Sequence, residues 1–418
     1  MNRILKLCML CLPLWLLPCA ALAGASEGWP IRLTVDAGAF TRFNTPVRAR
    51  LEGLEPPETP RRLFELRGKE RVPISSQIEA EPSAVCLSWI LSGTTPAGTT
   101  RVYEWIPGEP VTAAGVTLAQ DDKVLEISCG ERKVLRYHHA PVPPPEGVSE
   151  LFTRSAFIHP LWSPAGAELT NTRPADHLHH MGLWNPWTQT TFEGREVDFW
   201  NLGSGKGTVR FAKFVSKTEG PVFGGFQAIQ EHVDLSAPGG EKVALRENLD
   251  VRVWNVGGPS SDAWLVDYTT TQRCASSSPL HLLAYRYGGL GFRGTKAWTE
   301  QTSDYLSSEG KTRKDGHGTR SRWCAVYGTT EQGPAGILFM SHPGNREHPE
   351  PMRIWPEGDI FFNYCPVQKS DWTLEPGNDY VLKYRLCVYN GMLGAERAEQ
   401  LWRDFAEPPQ VKWQKGER

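Results

Sequence analysis

The sequence predicts an all-β protein of antiparallel sheets, arranged as sandwiches or a super-sandwich. Three observations lead there. Apolar and polar residues alternate with period two along most of the chain, which marks half-buried strands. Forty glycines and 33 prolines in 418 residues punctuate those runs, as many short strands joined by turns require. Only one stretch carries a helical period.

The elements follow in chain order. Arg3 and Lys6 precede an apolar run, Leu7–Leu22, and the small residues Ala21-Leu22-Ala23 follow. This is the pattern of a secretory signal at 1–23, cleaved after Ala23. A membrane anchor is the competing reading. It is disfavoured by Pro13 and Pro18 and by a run shorter than the ~20 residues a spanning helix needs. Cys19 is a poor lipid acceptor because Pro18 sits where a small residue is wanted. Export would place the mature protein in the periplasm or outside the cell.

Ile31–Val35 and Val47–Leu51 alternate, and a small N-terminal β-sandwich is expected over 27–107. Ile106-Pro107-Gly108-Glu109-Pro110 marks a boundary. A larger β-domain is expected over 111–408, with strand patterns at Lys123–Ile127, Val209–Val215 and Leu249–Trp254. Pro141–Pro145 reads as a stiff extended connector within it. Ala395, Ala398, Leu401, Trp402 and Phe405 form one apolar stripe of a closing helix that Pro408 terminates.

Composition excludes some partners. The formal charge is −2, and the basic residues are scattered, which argues against nucleic acid and anionic membrane surfaces. No later segment is apolar enough to span a bilayer. Six cysteines remain beyond the signal: Cys86, Cys129, Cys274, Cys324, Cys365 and Cys387. They either pair as disulfides in an oxidising compartment or stay as buried thiols. Their spacing fits no zinc knuckle.

The densest chemical signal is Asp176-His177-Leu178-His179-His180-Met181-Gly182-Leu183-Trp184-Asn185-Pro186-Trp187, which holds three of the eleven histidines. Histidine titrates near neutrality and suits proton transfer. Extended chain would put His177 and His179 on one side and His180 on the other. Trp184 offers a flat face for a sugar ring. Imidazoles with a carboxylate also ligate zinc, copper or iron, although His179 and His180 in strand geometry cannot easily share one ion. His159 precedes the cluster, and a short loop would let it face the same site. Glu247 and Asp267 lie in half-buried strand patterns. Each is either an acid or base with proton affinity raised by desolvation or a strand residue paired with a nearby arginine. Tyr287 and Arg293 flank a glycine-rich stretch that matches no phosphate loop. His342, Asn345 and Asn363 are polar residues at strand ends.

These pieces resemble the PmoA-like family ("methane oxygenase PmoA" domain proteins). The resemblance spans roughly 111–408 and is carried by His159-Pro160, Asp176–Trp184, Arg246-Glu247, Tyr287–Arg293 and His342–Asn345. The Asp-His-x-His-His-x-Gly-Leu-Trp string is its specific part. Met181 stands where arginine is expected, so an anion contact from that position is not carried over. Methane oxidation is not carried over either, since a membrane oxygenase needs spanning segments. The resemblance implies a galactose mutarotase-like super-sandwich, in which a histidine pair and a glutamate serve sugar-ring chemistry. By that analogy His179 or His180 is the acid and Glu247 the base.

Three functions are therefore expected in competition. The first is an enzyme acting on a sugar or glycoside by hydrolysis, elimination or epimerisation. His177, His179 and His180 would work with Glu247 or Asp267, while His159, Asp176, Trp184, Tyr287, Arg293, His342, Asn345 and Asn363 bind substrate. The second is a non-catalytic carbohydrate binder. The third is a transition-metal protein at the histidines; otherwise no cofactor is called for.

Overall fold

The computed structural model describes residues 29–111, 113–258 and 261–416. The expected signal segment lies outside them. No helix among the described residues is long and apolar enough to cross a membrane.

Two large antiparallel sheets form the centre. One has nine strands, in the order Arg320–Ser321, Glu350–Ile354, Phe361–Tyr364, Gly291–Arg293, Leu183–Trp184, Phe157–Leu161, Arg132–His138, Val124–Cys129 and Val116–Gln120. The other has eight: Gly207–Thr218, Phe223–Asp234, Lys242–Trp254, Ala263–Cys274, Tyr380–Asn390, Gly333–Ser341, Trp323–Thr330 and Ser303–Ser307. They share one apolar core, to which Leu125, Ile158, Leu183, Phe292 and Phe362 contribute from the first sheet and Leu249, Val251, Val266 and Ile337 from the second. This is the antiparallel super-sandwich the alternation predicts. Strand residues face the core at every second position, so the intervening ones face outward.

That alternation decides where the cleft lies. On the nine-stranded sheet, Ile158, Leu183 and Phe362 enter the shared core. Their neighbours Phe157, Trp184 and Phe361 face the other way and form a separate cluster with Met181, Trp200 and Leu202. The sheet is thus buried on both faces, by the partner sheet on one and by a layer of loops on the other.

A small sandwich precedes this body. Its three-stranded sheet holds Arg42–Glu52, Ala84–Thr95 and Ser76–Glu81. Its five-stranded sheet takes an edge strand from the far end of the chain, where Gln410–Lys415 pairs with Ile31–Asp36. Sequence reading assigned nothing to that last strand. The helix Ala395–Ala406 buries Ala398, Leu401 and Trp402 against the eight-stranded sheet, with Trp402 Nε1 donating to Ser341 O at 2.9 Å. It also ties down the small sandwich through a buried Arg42–Asp404 ion pair at 3.0 Å. All six described cysteines are buried free thiols, the second of the two readings the sequence left open.

Candidate functional site

The histidine segment is not extended. Pro174 O accepts from His177 N at 2.9 Å, and His177 O accepts from His180 N at 2.9 Å, which makes two consecutive turns. A bridge between Thr172 and Met181 closes the loop, and Arg173 N donates to His180 O at 2.8 Å. The expectation of opposed faces is therefore overturned: consecutive turns gather all three rings. Centroids lie 4.7 Å apart for His177 and His180, 5.5 Å for His177 and His179, and 4.9 Å for His179 and His180. Gly182 makes the exit from the loop possible. Its φ is +71°, and a Cβ there would stand 2.4 Å from Ile158 O, so a side chain would be both strained and blocked. Arg173 anchors the loop from outside, its Nη2 donating to Val142 O at 2.7 Å and Phe152 O at 3.2 Å. The proline-rich connector thus serves as a brace.

The three rings border a small cleft of about 80 Å³, with walls completed by Trp200, Arg286, Tyr287, Arg353, Trp355 and Phe361. Trp355 packs 4.7 Å from His177. Phe361 stacks on His180 at 4.9 Å. Tyr287 lies 5.1 Å from Trp200, and its hydroxyl donates to Asn201 Oδ1 at 3.1 Å.

Asp176 and Arg293 form the supporting shell. Asp176 Oδ2 accepts from His177 Nδ1 at 2.9 Å, which orients the ring and turns Nε2 away from the carboxylate. Arg293 is fully buried. Its Nη2 reaches both Asp176 oxygens at 3.2 Å and Asp359 Oδ2 at 2.7 Å. Partial burial works against ionisation of Asp176, but the His177 hydrogen bond and the Arg293 charge outweigh it and lower its pKa. Burial, helped by the charge of His177, pushes His179 down to about 4. Burial also holds His180 well below the usual histidine range, and its Nδ1 is buried with no partner. Near neutral pH these two rings are uncharged, each with one donor and one acceptor nitrogen.

Several predicted residues are not in the cleft. Glu247 shares its strand face with Leu245, Leu249 and Val251, which line the core between the sheets. It is fully buried and held by Asn185 Nδ2 and His232 Nε2, both at 2.9 Å. Asp267 accepts from Trp254 Nε1 at 2.8 Å and pairs with Arg385 at 2.5 Å, on the outer face of the other sheet. The ring of His159 bonds Thr170 Oγ1 at 2.9 Å and does not turn to the cluster. Trp184 is buried behind His180, 5.3 Å away, so it supports a cleft wall rather than offering a stacking face. Asn345 binds Glu350 Oε1 at 2.8 Å, and His342 packs on Phe405 of the helix. Asn363 donates to Leu290 O at 2.8 Å and accepts from Gly288 N at 3.2 Å, which fixes the backbone beside Tyr287. Asp176, Tyr287 and Arg293 do converge with the histidines. Trp200, Arg353, Trp355 and Phe361 were missed. Each lies in an ordinary strand or loop pattern, and only sheet order brings them together. Among the described residues, no group of three histidine, cysteine, aspartate or glutamate side chains is placed to hold a metal ion.

Fold and site define an all-β protein with an imidazole-lined, aromatic-walled cleft on the outer face of a sandwich. The chain belongs to a family of unknown function, DUF6807, whose model matches residues 124–403. No curated protein matches it. Among solved structures it is similar to a protein in the glycosyl hydrolase family 38 from Enterococcus faecalis, at 10% identity and a TM-score of 0.43, covering 94% of this chain and 48% of that one. It is also similar to heparan sulfate lyase HepC from Pedobacter heparinus, at 10% identity and a TM-score of 0.29, covering 69% of this chain and 38% of that one. The chain thus spans half or less of the length of both.

Proposed function

We propose that this protein binds a saccharide in the His177–His179–His180 cleft and acts on it by proton transfer. One observation carries the proposal: three imidazoles from a single loop share an aromatic-walled cleft, and one of them is oriented by a carboxylate. Asp176 fixes the tautomer of His177, so His177 Nε2 is the base. Neutral His179 and His180 hold substrate hydroxyls by hydrogen bonds, and the proton that His177 Nε2 takes up is the one it returns to the leaving oxygen. Trp355 and Tyr287 give the flat faces that sugar C–H surfaces pack against. The likeness of Asp176–Trp184 to the PmoA-like proteins supports placing the chemistry on this loop.

None of the residues lining the cleft is a carboxylate. Glycoside hydrolysis by the usual route uses two carboxyl groups flanking the bond. Elimination or epimerisation, which need a base beside a C–H or O–H bond, fit this cleft better. The test is a panel of saccharides and oxidised sugars, followed by NMR for binding and mass spectrometry for turnover. His177→Gln should cut turnover by roughly 10²-fold or more while unfolding stability stays within about 1 kcal/mol. Saturable binding without turnover of any panel member would reduce the protein to a carbohydrate binder. Turnover that survives the substitution would remove His177 from the chemistry.

A further inference from the structure

Each buried arginine among the described residues has a partner within the fold: three meet carboxylates, and Arg61, Arg154 and Arg313 donate to backbone carbonyls. Arg293 meets Asp176 and Asp359, Arg385 meets Asp267, and Arg42 meets Asp404. Two arginines on the cleft wall do not follow that rule. Arg353 lies 4.9 Å over the Tyr287 ring and 5.9 Å from Phe361. Its Nε and Nη1 are buried with no hydrogen-bond partner. Arg286 packs on Tyr285 and Tyr287, 5.6 and 5.8 Å from their ring centroids. Neither arginine forms an ion pair among the described residues. Burial lowers the pKa of Arg353, and the charge of Arg286 adds to the effect. Two cations therefore share one wall of a cleft that has no carboxylate on its lining. A partly buried charge without a partner carries a desolvation cost that an incoming anion would offset.

We infer that the ligand of this cleft is an acidic saccharide, a sugar bearing a carboxylate, with Arg353 and Arg286 as the groups that read that carboxylate. The guanidinium fork matches a carboxylate in two parallel hydrogen bonds, which a neutral hydroxymethyl group cannot reproduce. Neutral His179 and His180, together with His177, would then face the ring hydroxyls. The inference rests on the saccharide reading above and narrows its substrate class.

Titration calorimetry with D-glucuronate, D-glucose and acetate tests it on the full chain at low ionic strength. Glucuronate should bind about tenfold or more tightly than glucose, with a preference that shrinks as salt is added. Arg353→Gln and Arg286→Gln should each pull glucuronate towards the affinity of glucose. Arg286 is exposed, so its substitution keeps the test valid if the Arg353 variant folds poorly. Glucose and glucuronate binding equally, both lost in His179→Ala, would overturn the acidic-sugar inference and keep the saccharide cleft. Acetate binding as tightly as glucuronate, both lost in the arginine variants, would keep the carboxylate site and overturn the saccharide reading. No binding by any of the three would overturn both.

Discussion

Replacing Glu247 by alanine tests where this carboxylate belongs. It sits between the two large sheets, fully buried, and accepts hydrogen bonds from Asn185 Nδ2 and His232 Nε2, both at 2.9 Å. His232 is itself fully buried, and its Nδ1 has no protein partner. Removing the carboxylate therefore strands an imidazole with neither nitrogen satisfied by protein and leaves Asn185 Nδ2 only a long contact, 3.5 Å, to Thr270 Oγ1. Two hydrogen bonds to a carboxylate, at about 1.5–3 kcal/mol each, agree with the roughly 3–5 kcal/mol cost of breaking a buried pair on one side. Glu247→Ala should lose that amount in urea unfolding, read by both tryptophan fluorescence and circular dichroism so that coincident transitions establish two-state behaviour. Combining it with His232→Ala should give a coupling above about 1 kcal/mol. A variant within about 1 kcal/mol of the parent that still binds saccharide but has lost turnover would refute the reasoning. It would return Glu247 to the role of base that the sequence suggested.

Three further outcomes are expected. Asp176→Asn offers His177 an amide in place of a carboxylate, so turnover should fall by about 10²–10⁴, while melting moves little because Asp176 is half exposed. His179 has a folded pKa of about 4, below the ordinary 6.5 of the unfolded chain. The unfolded state then binds more protons between those values, so stability falls as pH falls through that window, by up to about 3 kcal/mol at roughly 1.4 kcal/mol per unit. His179→Gln should flatten that slope in urea titrations at pH 7 and pH 4.5. Glu350 runs the other way. Burial raises its pKa to about 7, against hydrogen bonds from Ser341, Asn345 and Tyr384, so stability falls as pH rises from about 4.5 to 7. Glu350→Gln should be the more stable protein above pH 7, by up to about 3 kcal/mol, in the same assay.

Much of the architecture was legible because the period-two pattern is itself the physical cause of the sandwich. Leu183 and Trp184 must face opposite ways, and so must Phe361 and Phe362. The helix Ala395–Ala406 was legible for the same reason, since its apolar stripe is what it buries. The strand Gln410–Lys415 was not, because its pairing with Ile31–Asp36 joins opposite ends of the chain and no local pattern encodes that. The histidine cluster announced itself by density, but its shape did not. Strand geometry was assumed for residues that Pro174 and two turns fold into a knot. Glu247 looked like a base because a carboxylate in an apolar strand suggests a perturbed acid. Its partner His232 lies on the neighbouring strand, and register alone brings them together. Arg353 and Trp355 escaped notice because sheet order, not sequence, sets them across from His177.

How this fold treats its buried acids narrows the chemistry further. Glu247 is saturated by Asn185 and His232, Glu350 by Ser341, Asn345 and Tyr384, and Asp404 by Arg42 and Thr45. Asp267 is held by Trp254 and Arg385. A carboxylate fixed by two or three donors away from a cleft serves packing and is poorly placed to exchange protons with a substrate. Asp176 differs: it is half exposed and spends one oxygen on a cleft histidine. On the proposed function, proton transfer in this site passes through imidazole, with the acid acting one bond removed. The loop that holds those imidazoles packs on the sheet face turned away from the main core. Its side chains can therefore be fitted to a ligand without disturbing the layer on which folding depends.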